Sequence, residues 1–97
     1  MVKLKIGQRT AIIIDELDIM IFTEIGDNPM GVMELTKNLN VQHKTIKNHL
    51  DKLKLFHLIK IEELPQNKKR ISITEPVRAF IIKYRSLLDK IRKESKP

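Results

Sequence analysis

The chain has 97 residues, 41% of them hydrophobic, with no cysteine and a formal net charge of +7. That length suffices for one domain with a modest core and excludes a separate catalytic lobe; without cysteine there is no disulfide framework, thiolate metal site or thiol nucleophile. No apolar run approaches the roughly 18 residues of a membrane span and the start lacks a signal-peptide layout, so a cytoplasmic chain with no membrane partner is expected, and the basic balance favours a polyanion.

Residues 1–14 read as an N-terminal arm or short strand. Val2 to Ile6 alternates as a strand does, and Gly7 ends it. The run from Thr10 to Ile14 is too short to assign; a strand and the run-up to a helix both fit. Asp15 is a good N-cap, and acids at Asp15, Glu16 and Asp18 suit the positive end of a helix macrodipole, which accounts for their clustering. Leu17, Met20, Ile21 and Ile25 recur at helical spacing, so the first helix is expected over 15–26. The turn cluster Gly26-Asp-Asn-Pro29 ends it.

A second helix over 31–39 and a third over 42–56 follow. Leu35, Leu39, Val41, Ile46 and Leu50 are spaced as two short helices crossing over one core require. Asn40 takes the turn between them, where the chain passes through a left-handed conformation that Asn tolerates. His57 falls where a left-handed C-cap is expected, usually glycine. Leu58–Glu62 and Arg70–Ile73 are β-prone and joined by residues 63–69, a hairpin with a basic tip. Thr74 is expected to cap a final helix over 75–95, with Pro76 in its first turn.

That final helix carries Val77, Ile81, Tyr84, Leu88 and Ile91 at intervals of four, three, four and three, the repeat of a coiled-coil seam. Phe80 and Leu87 widen the stripe. A homodimer interface through these seven side chains is the expectation.

Charge is distributed unevenly. Residues 15–40 hold six acids against Lys37 alone, whereas residues 41–60 hold five lysines against Asp51. Setting Ile46, Leu50 and Leu53 inward sends Lys44, Thr45, Lys47, Asn48 and Lys52 to the outer arc of the third helix at 100° per residue. These side chains, with Gln42 at the helix start, are donors suited to bases and phosphates.

The order helix, helix, turn, helix, hairpin, helix resembles the winged helix-turn-helix transcription regulators, particularly the small dimeric MarR-like and ArsR-like proteins of bacteria and archaea. The resemblance rests on Met30-Gly-Val-Met-Glu-Leu-Thr-Lys-Asn-Leu-Asn-Val-Gln-His-Lys-Thr-Ile-Lys-Asn-His-Leu50, on Leu55-Phe-His-Leu-Ile59, and on Ile71-Ser-Ile-Thr-Glu75. It covers about residues 15–75. It implies a mainly α fold with a small β-hairpin wing (α+β), a DNA-binding domain over 15–74 and a dimerisation helix over 75–97. Asn40 and His57 stand where the family usually has glycine. The cysteine ligands of its metal-sensing branch are missing, so thiolate metal sensing is dropped.

The same resemblance implies roles for particular residues. The third helix would lie in the major groove of double-stranded DNA, with Gln42 and Asn48 suited to adenine, His43 and Thr45 close to the duplex, and Lys44, Lys47 and Lys52 mainly on phosphates. Gln66, Asn67, Lys68, Lys69 and Arg70 of the wing would reach the adjacent minor groove or its backbone. A homodimeric repressor on a roughly palindromic operator is therefore expected, with no cofactor, no enzymatic activity and an unidentified effector, if any. Two other readings keep the fold: an architectural chromatin protein of low sequence specificity, and a protein-interaction module. High Lys and Ile content with few aromatics suits an archaeal or archaeal-virus origin.

Two chemistries are set aside on spacing. His43, His49 and His57 are separated by six and eight residues, which does not bring two rings to one helix face as a gap of three or four would, so no metal site is expected. No nucleophile–histidine–carboxylate set, phosphate loop or paired-acid cleft is visible.

Overall fold

The computed structural model describes residues 2–5 and 11–95, with side chains as far as residue 86 except those of Val2 and Lys5. In chain order the elements are β1 (Val2–Lys5), β2 (Ala11–Ile14), α1 (Glu16–Ile25), α2 (Val32–Leu39), α3 (His43–Leu55), β3 (Ile59–Leu64), β4 (Lys68–Ile73) and α4 (Glu75–Ser95). The α+β class and the order of the last six elements are those expected.

The arm is half of a hairpin. β1 pairs antiparallel with β2, Leu4 opposite Ile12 and Lys3 opposite Ile13, which decides in favour of a strand at residues 11–14. Side chains on a strand alternate between faces. Leu4, Ile12 and Ile14 therefore enter the core while Ile13 stays 55% exposed. Gly7, the expected end of the arm, lies outside the described residues.

Asp15 caps α1 through a reciprocal box. Its carboxylate accepts from the Asp18 amide, and the Asp18 carboxylate accepts from the Asp15 amide. Such boxes satisfy two helix-end donors at once. The buried stripe of α1 is Asp18, Ile21, Phe22 and Ile25. Met20, expected inward, is 41% exposed, and Phe22 takes the interior position instead. The stripe runs i, i+3, i+4, i+7, and position 20 falls outside that arc.

The helix-turn-helix ends follow one device twice. Asn40 adopts φ 54° and ψ 46°, and the Val41 amide bonds back to the Thr36 carbonyl. After α3, His57 has φ 58° and the Leu58 amide bonds back to the Leu53 carbonyl. Both are left-handed caps in which a 6→1 bond satisfies a helix-end carbonyl. Between them Leu35, Ile46, Leu50 and Leu53 are buried. Each such side chain contributes about 1.5–3 kcal/mol of burial, so the spacing of α2 and α3 is set by the core and not by the short turn.

β3 and β4 form the wing hairpin, with Ile59 opposite Ile73 and Ile61 opposite Ile71 on the core side. Met30 joins its edge through a pair of amide–carbonyl bonds with Ile71, 3.1 and 2.7 Å. A β-carbon at Gly31 would lie 3.2 Å from the Lys69 carbonyl oxygen, so the start of α2 and the wing are in close apposition.

Thr74 behaves differently from expectation. Its hydroxyl donates to the carbonyls of His57 and Leu58, tying the wing to the end of α3, while its own carbonyl accepts from Val77 and Arg78 to start α4. The hydroxyl proton is used backward along the fold, while the backbone of Thr74 opens α4.

Candidate nucleic-acid interface

α3 begins without a side-chain cap: Gln42 occupies the N-cap position but its amide makes no capping bond. Lys52 and Lys54 sit in its last turn, where the negative end of the macrodipole favours them. Ile46, Leu50 and Leu53 point inward at 0, 2 and 0% exposure. Gln42, His43, Lys44, Lys47 and Asn48 are exposed, and Thr45 is half-buried. The fold thus brings five of the seven expected α3 side chains to the surface.

Lys52 departs from expectation. Its ammonium donates to Asp18 Oδ2 at 2.5 Å, and His49 Nδ1 lies 2.7 Å from Asp18 Oδ1. Asp18 itself is fully buried, the one buried charged residue among those described. At 100° per residue Lys52 is on the edge of the outer arc and on the side facing α1, so a buried carboxylate there captures it. The account of Asp18 as a helix-end charge was correspondingly incomplete. Its position on the stripe with Ile21, Phe22 and Ile25 was the available signal, and the sequence reading missed it.

Asp15 stands at the rim of this group, 3.7 Å from His49 Nδ1. Burial raises its carboxyl, but the hydrogen bond from the Asp18 amide and the charges of His49 and Lys52 outweigh that and hold it below its ordinary value of 3.8. One possible ligand atom from each of Asp15, Asp18 and His49 lies within 4.8 Å of the others. Spacing among the histidines alone could not reveal a set completed by α1. The Lys52 ammonium already supplies Asp18 with its cation.

At the wing, Gln66 and Asn67 reverse the chain with φ 66° and 60°, a pair of left-handed residues between Leu64 and Lys68. Gln66, Asn67, Lys68, Lys69 and Arg70 are all exposed. The register adds what charge counting did not: Glu63 lies opposite Lys69, and Glu62 opposite Arg70. Opposed residues share a face, so each cation has an acid as its cross-strand neighbour. Lys68 faces Leu64 and lacks one. An open groove of about 660 Å³ runs between the wing and the start of α2, with Met30, Glu34, Leu64 and Lys68 among its lining residues.

α4 corrects the seam. Val77 and Ile81, expected at a dimer interface, are 0 and 6% exposed and belong to the chain's own core. Phe80 is half-buried and stacks on Tyr84, with centroids 5.6 Å apart and planes 20° apart. Ile82, outside the expected stripe, is 72% exposed. The side chains of Leu87, Leu88 and Ile91 lie outside the described residues.

No protein-family model matches the chain, and no curated protein matches it. Solved structures do. MepR, a transcription regulator of the Staphylococcus aureus multidrug efflux pump MepA, superposes with a TM-score of 0.76 at 18% identity over 84% of this chain and 62% of its own. Streptococcus pneumoniae FabT, in complex with DNA, gives 0.76 at 17% identity over 84% and 59%. The transcriptional regulator HlyU from Vibrio vulnificus gives 0.69 at 23% identity over 75% and 76%.

The fold is a winged helix-turn-helix. In its terms α3 is the second helix of the helix-turn-helix and β3–β4 the wing. The chain spans about three-fifths of the length of the first two neighbours. Among the described residues no helix is long and apolar enough to cross a membrane.

Proposed function

We propose that this chain binds double-stranded DNA as a transcription regulator, with α3 in the major groove and the wing at the adjacent minor groove. The observation that carries the reading is the combination of an exposed, cation-bearing arc on α3 with exposed wing cations on the same winged-helix frame. A protruding helix of this width fits a major groove, where Asn48 can bond adenine through both ends of its amide. Lys44 and Lys47 meet phosphates and fix register, and Lys68 and Arg70 reach the backbone beside the wing. The neighbour FabT in complex with DNA supports the choice of polyanion.

The protein acts as a homodimer, with Phe80, Tyr84 and the later apolar positions Leu87, Leu88 and Ile91 of α4 contributing to the contact. Two recognition helices then read half-sites about 10 bp apart, which makes the operator pseudo-palindromic. Occupying promoter DNA in this way represses transcription in the cytoplasm. Selection from random duplexes with the purified protein, together with its mass in solution, tests the reading. An enriched palindromic motif and a dimer mass support it. Duplex binding with no enriched motif replaces it with an architectural protein, and no duplex binding at low salt leaves a protein-interaction module.

A further inference from the structure

We propose that Asp18 is a positioning residue for the recognition surface: from α1 it grips His49 and Lys52 and so sets the roll of α3 about its own axis. The inference rests on the DNA-binding reading and names the device that aims it. Asp18 is fully buried and its carboxylate accepts three times: from the Asp15 amide, from His49 and from Lys52. No buried side-chain nitrogen or oxygen among the described residues is without a partner.

The geometry makes this a directional restraint. Ile46, Leu50 and Leu53 hold α3 against the core, but an apolar stripe tolerates small rotations because dispersion has no preferred direction. His49 and Lys52 lie three residues apart on the α1 side of that stripe, so the two bonds act on successive turns of one flank. With that flank fixed, Lys44 and Asn48 lie on the far side from the core. Rotation by even a fraction of the 100° residue step would exchange Asn48 with its neighbours at the groove floor.

Asp18 also selects which lysines face the polyanion. Lys52 is only 35% exposed and is drawn inward, whereas Lys44 and Lys47 remain out. Removing the carboxylate frees a cation at the edge of the recognition surface. Such a cation strengthens binding to any duplex and adds nothing to the reading of bases. Asp18 therefore raises selectivity in two ways, by aiming Asn48 and by withholding Lys52.

Because the carboxylate only accepts, His49 must carry a proton on Nδ1 to bond it. That gives a signature independent of DNA. Imidazole nitrogen NMR of the unaltered protein is expected to report a protonated Nδ1 on His49; a neutral ring protonated only on Nε2 overturns the proposal.

DNA binding is then measured as a function of salt for the unaltered protein, Asp18→Asn, Lys52→Met and Lys47→Ala. The probes are a duplex recovered from random-sequence selection and a scrambled duplex of equal length. Asp18→Asn is expected to lose about tenfold in preference for the selected duplex and to steepen the salt dependence by about one counterion per protomer. Lys52→Met, which removes no buried acid, is expected to leave the salt dependence unchanged, while Lys47→Ala makes it shallower by about one. A shallower slope for Lys52→Met overturns the proposal, as does an Asp18→Asn protein that is folded and keeps its preference. If Asp18→Asn does not fold, Lys52→Met and the His49 ring still decide. Should the unaltered protein bind neither duplex, the DNA reading fails, and the His49 measurement stands apart from that failure.

Discussion

The two flanks of α3 carry similar residues and do opposite things. On one side His49 and Lys52 turn toward α1 and spend their charge on Asp18. On the other, His43 and Lys47 are open to water. Histidine and lysine at neighbouring turns of one helix are thus an internal fastening on one flank and open to solvent on the other, where the proposed DNA contact would use them. What separates them is a carboxylate on a different helix, thirty or so positions earlier in the chain. Residue type sets what a side chain can bind; the packing of α1 on α3 decides whether it is free to do so.

Breaking the fastened flank should have the largest effect. Asp18→Leu strands His49 and Lys52 against an apolar neighbour, and loss of one partner of a buried pair costs about 3–5 kcal/mol, with the low end expected because Lys52 reaches solvent. Denaturant titration measures it. Adding Lys52→Met to Asp18→Leu should recover much of the loss, since an apolar pair of similar volume often replaces a buried ion pair without harm.

On the open flank the effect should appear in binding and leave stability nearly unchanged. Asn48→Ala is expected to relax choice at one base pair by about 1–3 kcal/mol in a selection experiment. Lys47→Ala should weaken all duplexes alike in mobility-shift titrations. If both variants bind as the unaltered protein does, α3 is not the reading element.

A control lies at the end of the helix, where neither flank is touched. His57 has φ 58°, a conformation that costs a residue with a β-carbon about 1 kcal/mol. His57→Gly should raise the denaturation midpoint modestly and leave duplex preference unaltered. The smallest effect is on acid tolerance. The Asp15 carboxyl is held below its ordinary value, so its stabilising share is present above pH ~4 and is lost as pH falls through the lowered value. Asp15→Asn should flatten that part of an acid-unfolding curve.

Much of this arrangement was legible in the chain, for reasons that differ by element. Helical spacing gave the inward set of α2 and α3 because an amphipathic helix advertises its buried face over several turns. Asn40 and His57 were readable as left-handed caps because so few residues tolerate that conformation. Residues 11–14 were not readable: Ala-Ile-Ile-Ile has no alternation of its own, and its two faces differ only once β1 lies alongside. The first two positions of the α4 seam, Val77 and Ile81, were assigned to the wrong neighbour, since periodicity cannot say whether they meet a second copy or their own core. Lys52 escaped for the same reason. Its partner is a matter of tertiary placement, and nothing local to α3 encodes it.

The bridge between Met30 and Ile71 has a mechanical consequence. By stitching the strand that carries Lys68–Arg70 to the segment just ahead of α2, it fixes the gap between the wing and the helix-turn-helix like a caliper. A β-carbon at Gly31 would lie 3.2 Å from the Lys69 carbonyl oxygen, so the jaws have little room to close further. On the proposed DNA-binding reading, a duplex whose groove spacing differs from that gauge would itself have to deform to fit, which would make the stiffness of a sequence something sensed without touching a base.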